Sequence, residues 1–299
     1  MTPLLLVIAC LVLGMAVARL AHPPMGLAQG LNWWVINIAL PALVLGAVPQ
    51  LDLDRQVWFL VVSQWLVLAG AVALFHILGR SSGWSRARIG GVALVAGLGN
   101  TSFVGYPLIE ALRGAGALAP AVVADQMGAF VALAAGGAVI AAIYSGQTPQ
   151  PREIARRVLL FPAFLALLAG LVAGAFGGWP EPLQSIFFRL GQTLTPLALF
   201  SVGLRLRFQL GAGQAWPVTA ALAWKLALAP LLVWGLALGA GIGGVTLTVS
   251  VLQAAMGPMI SAAILADQHH LDPPLTNAIL GGGILLSLVT VPLWNGMLP

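Results

Sequence analysis

The stretch GLGNTSFVGYPL, residues 97–108, sets Asn100, Thr101 and Ser102 beside Gly105 and Pro107 inside an otherwise apolar segment. An asparagine amide and serine or threonine hydroxyls are neutral hydrogen-bonding groups suited to holding a carboxylate. A second stretch, LQAAMGPMIS, places Gln253, Gly257, Pro258 and Ser261 in a similar apolar setting. Proline lacks a backbone donor and clashes with the carbonyl one turn earlier, so each stretch is expected to interrupt a helix. The new half-helix after each proline would open with free N–H groups and a positive dipole end, a natural anion site. Each proline taken singly would as readily be an ordinary kink.

Further polar residues stand alone in apolar surroundings. Asp125, followed by Gln126, is read either as a proton or cation site or as a partner that steadies the first break. Lys225 would balance Asp125, supply a fixed positive charge, or reach for the membrane surface. Arg189 and His76 are read as interfacial. Asn277, Thr276 and Ser287 are expected to join helices by hydrogen bonds, Asn277 lying near Asp125 in repeat register. His269 and His270 with Asp267 and Asp272 resemble a metal cluster on paper. Adjacent histidines before Pro273-Pro274 lack the i, i+4 spacing of a helical zinc pair, so no metal and no cofactor is expected. No HExxH, GxSxG or GxxxxGK[ST] motif is present, which leaves hydrolysis and ATP-driven pumping without support; no enzyme is expected.

The composition determines the setting of these residues. Hydrophobic residues make up 60% of the 299 and charged residues 7%, with a mean hydropathy of +0.99. Soluble domains carry about a quarter charged residues, so the chain reads as an all-α integral membrane protein. Its basic excess, 13 Lys+Arg against 8 Asp+Glu, sits in short loops and does not indicate nucleic acid. One cysteine, Cys10, excludes an internal disulfide. No basic residue precedes the first apolar run, so no cleaved leader is expected.

A window of about 20 apolar residues finds ten candidate spans, near 3–20, 31–48, 57–79, 88–112, 118–145, 158–179, 183–203, 214–239, 245–267 and 274–297. The turns between them include HPP at 22–24, PQLDLD at 49–54 and a polar loop at 146–157. Arg19, Arg80, Arg86, Arg88, Arg152, Arg156, Arg157, Arg205 and Arg207 fall on one side, and Arg55 and Arg113 on the other. That asymmetry places both termini outside the cytoplasm. Tryptophans gather at span ends, as an aromatic belt does.

Five spans on each side of the central loop suggest an internal repeat. Spans 2 and 7 each carry a mid-span proline, and VGYPLI in span 4 pairs with AMGPMI in span 9. Five is odd, so the halves would cross in opposite senses as an inverted repeat, with crossed broken helices 4 and 9. That alignment sets Pro107 against Pro258 and Val251, not an amide, opposite Asn100.

The order N-T-x-x-x-G-x-P-L, from Asn100 to Leu108, resembles the span 4 signature of the auxin efflux carrier family, which includes plant auxin carriers and bacterial malonate permeases. IALPALVLGAV, AVVADQMG, LADQHHLDPPL and LLSLVTVPLW extend the resemblance over essentially the whole chain. It implies a bile-acid-symporter-like fold. By that resemblance spans 1–2 (residues 1–50) and 6–7 (158–210) would form a scaffold, and spans 3–5 (51–145) and 8–10 (211–299) a mobile transport domain, joined by a cytoplasmic loop (146–157). It implies an elevator-type secondary transporter of a small organic anion in the bacterial inner membrane, homodimeric through the scaffold, with proton or sodium coupling left open. Carboxylate binding would map onto Asn100 and the peptide groups around Pro107 and Pro258. The plant carriers' long hydrophilic loop is missing here. Alternatives are a sodium symporter of the bile-acid type and a receptor that binds without moving its ligand.

Overall fold

Within lipid every backbone N–H needs an internal carbonyl, so a chain this apolar spans as helix. The computed structural model describes residues 2–21, 23–51, 56–206, 211 and 213–299. His22 of the HPP turn, the charged part of the 49–54 turn, and Arg55 and Arg207 of the charge count lie outside the described residues.

The first half comprises α1 (Thr2–Leu20), α2 (Leu27–Gln50), α3 (Trp58–Ser81), α4 (Arg86–Gly97), α5 (Gly105–Arg113) and α6 (Ala115–Ser145). The second comprises α7 (Pro151–Leu159), α8 (Pro162–Ala175), α9 (Glu181–Gly191), α10 (Leu194–Arg205), α11 (Ala215–Gly239), α12 (Gly244–Ala255), α13 (Ile260–Gln268) and α14 (Pro273–Met297). Five of these, α2, α3, α6, α11 and α14, are long and apolar enough to cross a membrane alone. The pair α7 and α8, bent by 55°, makes a sixth when taken as one span. Among the described residues there is no strand, only an isolated antiparallel bridge between Gly99 and Pro258.

Local chemistry explains several boundaries. Ser85 caps α4 by accepting from the Arg88 amide at 3.2 Å. Residues 146–157, expected as loop, contain α7. Pro151 opens it, Glu153 lies in its first turn, and Arg156 and Arg157 lie in its last turn, each matching the helix dipole. Wide π turns interrupt α2 at Val35–Ala39, α6 at Ala124–Ala129 and α11 at Trp224–Leu228. In α2 and α11 the turn comes just before a proline, Pro41 and Pro230, whose missing donor would break regular spacing. The turns in α6 and α11 carry Asp125 and Lys225.

Two packing groups result. The helices α1, α2, α8, α9 and α10 pack mainly on one another, and α3–α6 with α11–α14 form the other group. Small residues allow the closest approach: a Cβ on Gly14 would lie 2.3 Å from the Phe200 carbonyl oxygen, and one on Gly203 2.3 Å from that of Leu11. Trp33, Trp58 and Trp216 are largely exposed. Trp34, Trp179 and Trp294 instead donate inward, to Thr193 Oγ1, the Leu45 carbonyl and the Leu226 carbonyl.

Candidate functional site

Both suspected interruptions are present, and they touch. Helix stops after Gly97 and resumes at Gly105, and again stops after Ala255 and resumes at Ile260. Between them the Asn100 amide donates to the Gly257 carbonyl at 2.7 Å, and the Met259 amide to the Leu98 carbonyl at 2.9 Å. This pair of bonds is symmetric about the Gly99–Pro258 bridge. Across it Asn100 faces Gly257 and Leu98 faces Met259, and Pro258 pairs with Gly99 rather than with Pro107.

The prolines also differ from expectation. Pro107 is the third residue of α5, whereas Pro258 lies in the extended link two residues before α13. The first break holds an extra turn, in which Gly105 N donates to the Asn100 carbonyl at 2.9 Å and Tyr106 N to that of Ser102 at 3.3 Å. The open amides therefore belong to earlier residues. Among the described residues, those of Ser102, Phe103, Ile260 and Ser261 find no protein acceptor.

These four residues line one cavity of about 150 Å³, together with Asn100, Asp125 and Gln126. Asn100 is 2% exposed, and its Nδ2 has no protein partner. A buried donor left unmatched costs about 1–3 kcal/mol, so an acceptor within the cavity would stabilise it. Gln126 likewise leaves Oε1 unmatched. Asp125 sits in a negative-charge niche already filled by donors: Thr101 Oγ1, Tyr106 OH at 2.7 Å and Gln126 Nε2 at 2.6 Å all donate to its carboxylate. The carboxylate thereby ties α6 to the link of the first break and to α5 beyond it.

Other expected site residues lie behind the cavity wall. Gln253 Nε2 donates to the Thr101 and Ala121 carbonyls at 3.3 Å. A Cβ on Gly105 would meet Gln253 Oε1 at 2.6 Å, so the glycine makes room for this crossing side chain. Gly257 packs on Gly283 and Ser287 of α14, where its Cβ would lie 2.8 Å from the Gly283 carbonyl oxygen. Lys225 is fully buried, and its Nζ donates to the Ala254 carbonyl at 2.8 Å, at the negative end of α12. Among the described residues it forms no ion pair with Asp125; the bridge found is Arg88–Asp272 at 2.8 Å.

Asn277 belongs elsewhere. It lines the largest described cavity, about 810 Å³, with Arg205, Gln214 and Pro273. The smaller space is the better candidate because residues with open amides from both breaks line it together. His269 Nδ1 shares a hydrogen bond with Ser145 Oγ at 3.2 Å. Sequence reasoning passed over Asn32 of α2, which lines the central cavity and accepts from Ser201 Oγ at 2.6 Å. A polar side chain at the head of an apolar span was its signal. Tyr106 was also overlooked, although it directly precedes Pro107.

Broken helices paired within a polytopic bundle, with open amides about a small cavity, define a membrane carrier as the class of this protein. The family model described as "Membrane transport protein" matches residues 1–295. The chain belongs to that family. A protein of Rhizobium meliloti named "Putative malonate transporter" is 31% identical over 309 residues, covering 93% of this chain and 89% of that one. An "Uncharacterized transporter" of Methanothermobacter thermautotrophicus is 26% identical over 273 residues, covering 91% and 89%. A second, from Methanocaldococcus jannaschii, is 25% identical over 216 residues, covering 71% and 69%. The chain is a multi-pass membrane transporter and not an enzyme.

Proposed function

We propose that this transporter is a secondary carrier of a small organic anion, whose carboxylate binds at the crossing of the two broken helices. One observation carries the reading: Asn100, with its unmatched Nδ2, and Ser102, Phe103, Ile260 and Ser261, with their open amides, all line one cavity. Peptide N–H groups at helix starts favour negative charge without a competing counter-ion. A volume of about 150 Å³ equals roughly five waters at ~30 Å³ each, which suits a small acid better than a sterol-sized one. The relative named for malonate supports a dicarboxylate.

In this reading the chain crosses the membrane ten times as two inverted repeats, each interrupted pair counting as one span. Both termini lie outside the cytoplasm in a bacterial inner membrane. The group containing α1, α2 and α8–α10 is the scaffold, and through it the protein dimerises. The second group moves against it and carries the cavity across. Asp125 serves as a clamp on the first break. Lys225 places its ammonium where a bound cation would meet the α12 carbonyls, so sodium is not required.

Reconstituted protein is expected to show saturable malonate counterflow in sodium-free liposomes. A carboxylate screen that gives neither a thermal shift nor counterflow, with folded protein, rejects the proposal.

A further inference from the structure

The central cavity has a neighbour of about 540 Å³. The two share Phe130, Leu133, Phe161, Ser261 and Ile264 in their walls. The phenyl rings of Phe130 and Phe161 stack with centroids 4.1 Å apart and planes at 21°, so an aromatic partition stands at their common border. The outer space is otherwise apolar except where α7 contributes Arg156 and Arg157 and α13 contributes Ser261 and Gln268.

Both arginines are exposed, and neither forms an ion pair among the described residues. Glu153 stands four residues before Arg157, the arrangement that favours a helical Glu–Arg pair. Their side chains stay apart nonetheless. The 55° bend between α7 and α8 brings the basic end of α7 over the outer space. Two uncompensated guanidinium groups on an apolar, concave wall focus positive potential there, and each can hold a carboxylate by two parallel hydrogen bonds.

We propose that Arg156 and Arg157 form an outer carboxylate-binding station on the path to the central cavity, by which the carrier selects small dicarboxylate dianions over monocarboxylates. This rests on the central cavity being the anion site. A dianion arriving from the α7 side meets both charges before the aromatic partition opens. A monoanion gains less there, and its affinity depends on the central amides.

The test compares counterflow of malonate and of propionate in liposomes, for the wild type and an Arg156→Gln/Arg157→Gln variant, at low and high ionic strength. The variant is expected to raise the KM for malonate about threefold to tenfold, the scale of two partly exposed charge contacts. Its KM for propionate should change less than twofold. Salt should weaken malonate transport by the wild type and leave the variant's nearly flat. Arg156→Lys/Arg157→Lys should retain most of the malonate preference. Equal changes for both acids, or none, would overturn the station. Should the glutamine variant fail to fold, the wild type's salt response and the lysine variant decide: a salt-independent preference also overturns it. Wild-type protein that moves no carboxylate defeats the central reading itself, whereas transport with no preference for malonate defeats the outer station alone.

Discussion

Asn100 does its two tasks with different atoms. Its backbone amide holds Gly257 of the opposite break, while its side-chain Nδ2 has no partner among the described residues. Asn100→Ala should therefore spare the fold and weaken carboxylate binding at least about tenfold, the loss of a charge-assisted hydrogen bond. Isothermal titration would show it, and unaltered affinity would remove Asn100 from the site. Asp125 differs because three donors converge on it. An asparagine turns one acceptor into a donor facing donors, so Asp125→Asn is expected to lose about 1–3 kcal/mol of stability. A melting temperature equal to the wild type would count against the clamp. Lys225→Ala should clear space beside the Ala254 carbonyl and make uptake respond to sodium. A folded variant indifferent to sodium discards the fixed-cation idea.

At the level of elements, glycine decides how closely helices meet. A Cβ on Gly283 would lie 2.2 Å from Pro258 Cδ, so α14 presses directly on the second break. Gly283→Ala should shift that link, at a stability loss of about 1–3 kcal/mol for overpacking, and reduce ligand affinity with it. Gly203→Leu offers the contrast. It forces α10 from α1, against a backbone oxygen 2.3 Å from the added Cβ. It should lower the melting temperature while leaving the affinity of the remaining folded protein unchanged; a parallel loss of affinity would mean that the two packing groups are not independent.

Over the whole molecule, the Phe130–Phe161 stack joins the two packing groups, since Phe130 lies in α6 and Phe161 directly precedes α8. If one group moves against the other, this contact must part in each cycle. With Cys10 replaced by serine, cysteines at positions 130 and 161 bridged by mercury are expected to arrest counterflow, and excess thiol to restore it. Undiminished flux through the bridged protein would exclude relative motion at this border.

Membrane insertion, helical class and the places of interruption were legible from composition and from Pro107, Pro258 and Asn-Thr-Ser, because lipid tolerates few conformations and these residues disturb the favoured one. The family signature lay in the same short stretch. The partners of the polar residues were not legible. Gln253, Lys225 and Asp125 sit far apart along the chain, and which carbonyl or hydroxyl each meets depends on how the breaks cross. The pairing of the breaks was hidden for a related reason: the prolines suggested Pro107 against Pro258, whereas backbone bonds set Pro258 against Gly99, ahead of the turn that precedes Gly105. Local sequence thus determined where the helices had to yield. Only the tertiary structure decided which residues with open amides line a common cavity, because that follows from contacts between segments that no local propensity encodes.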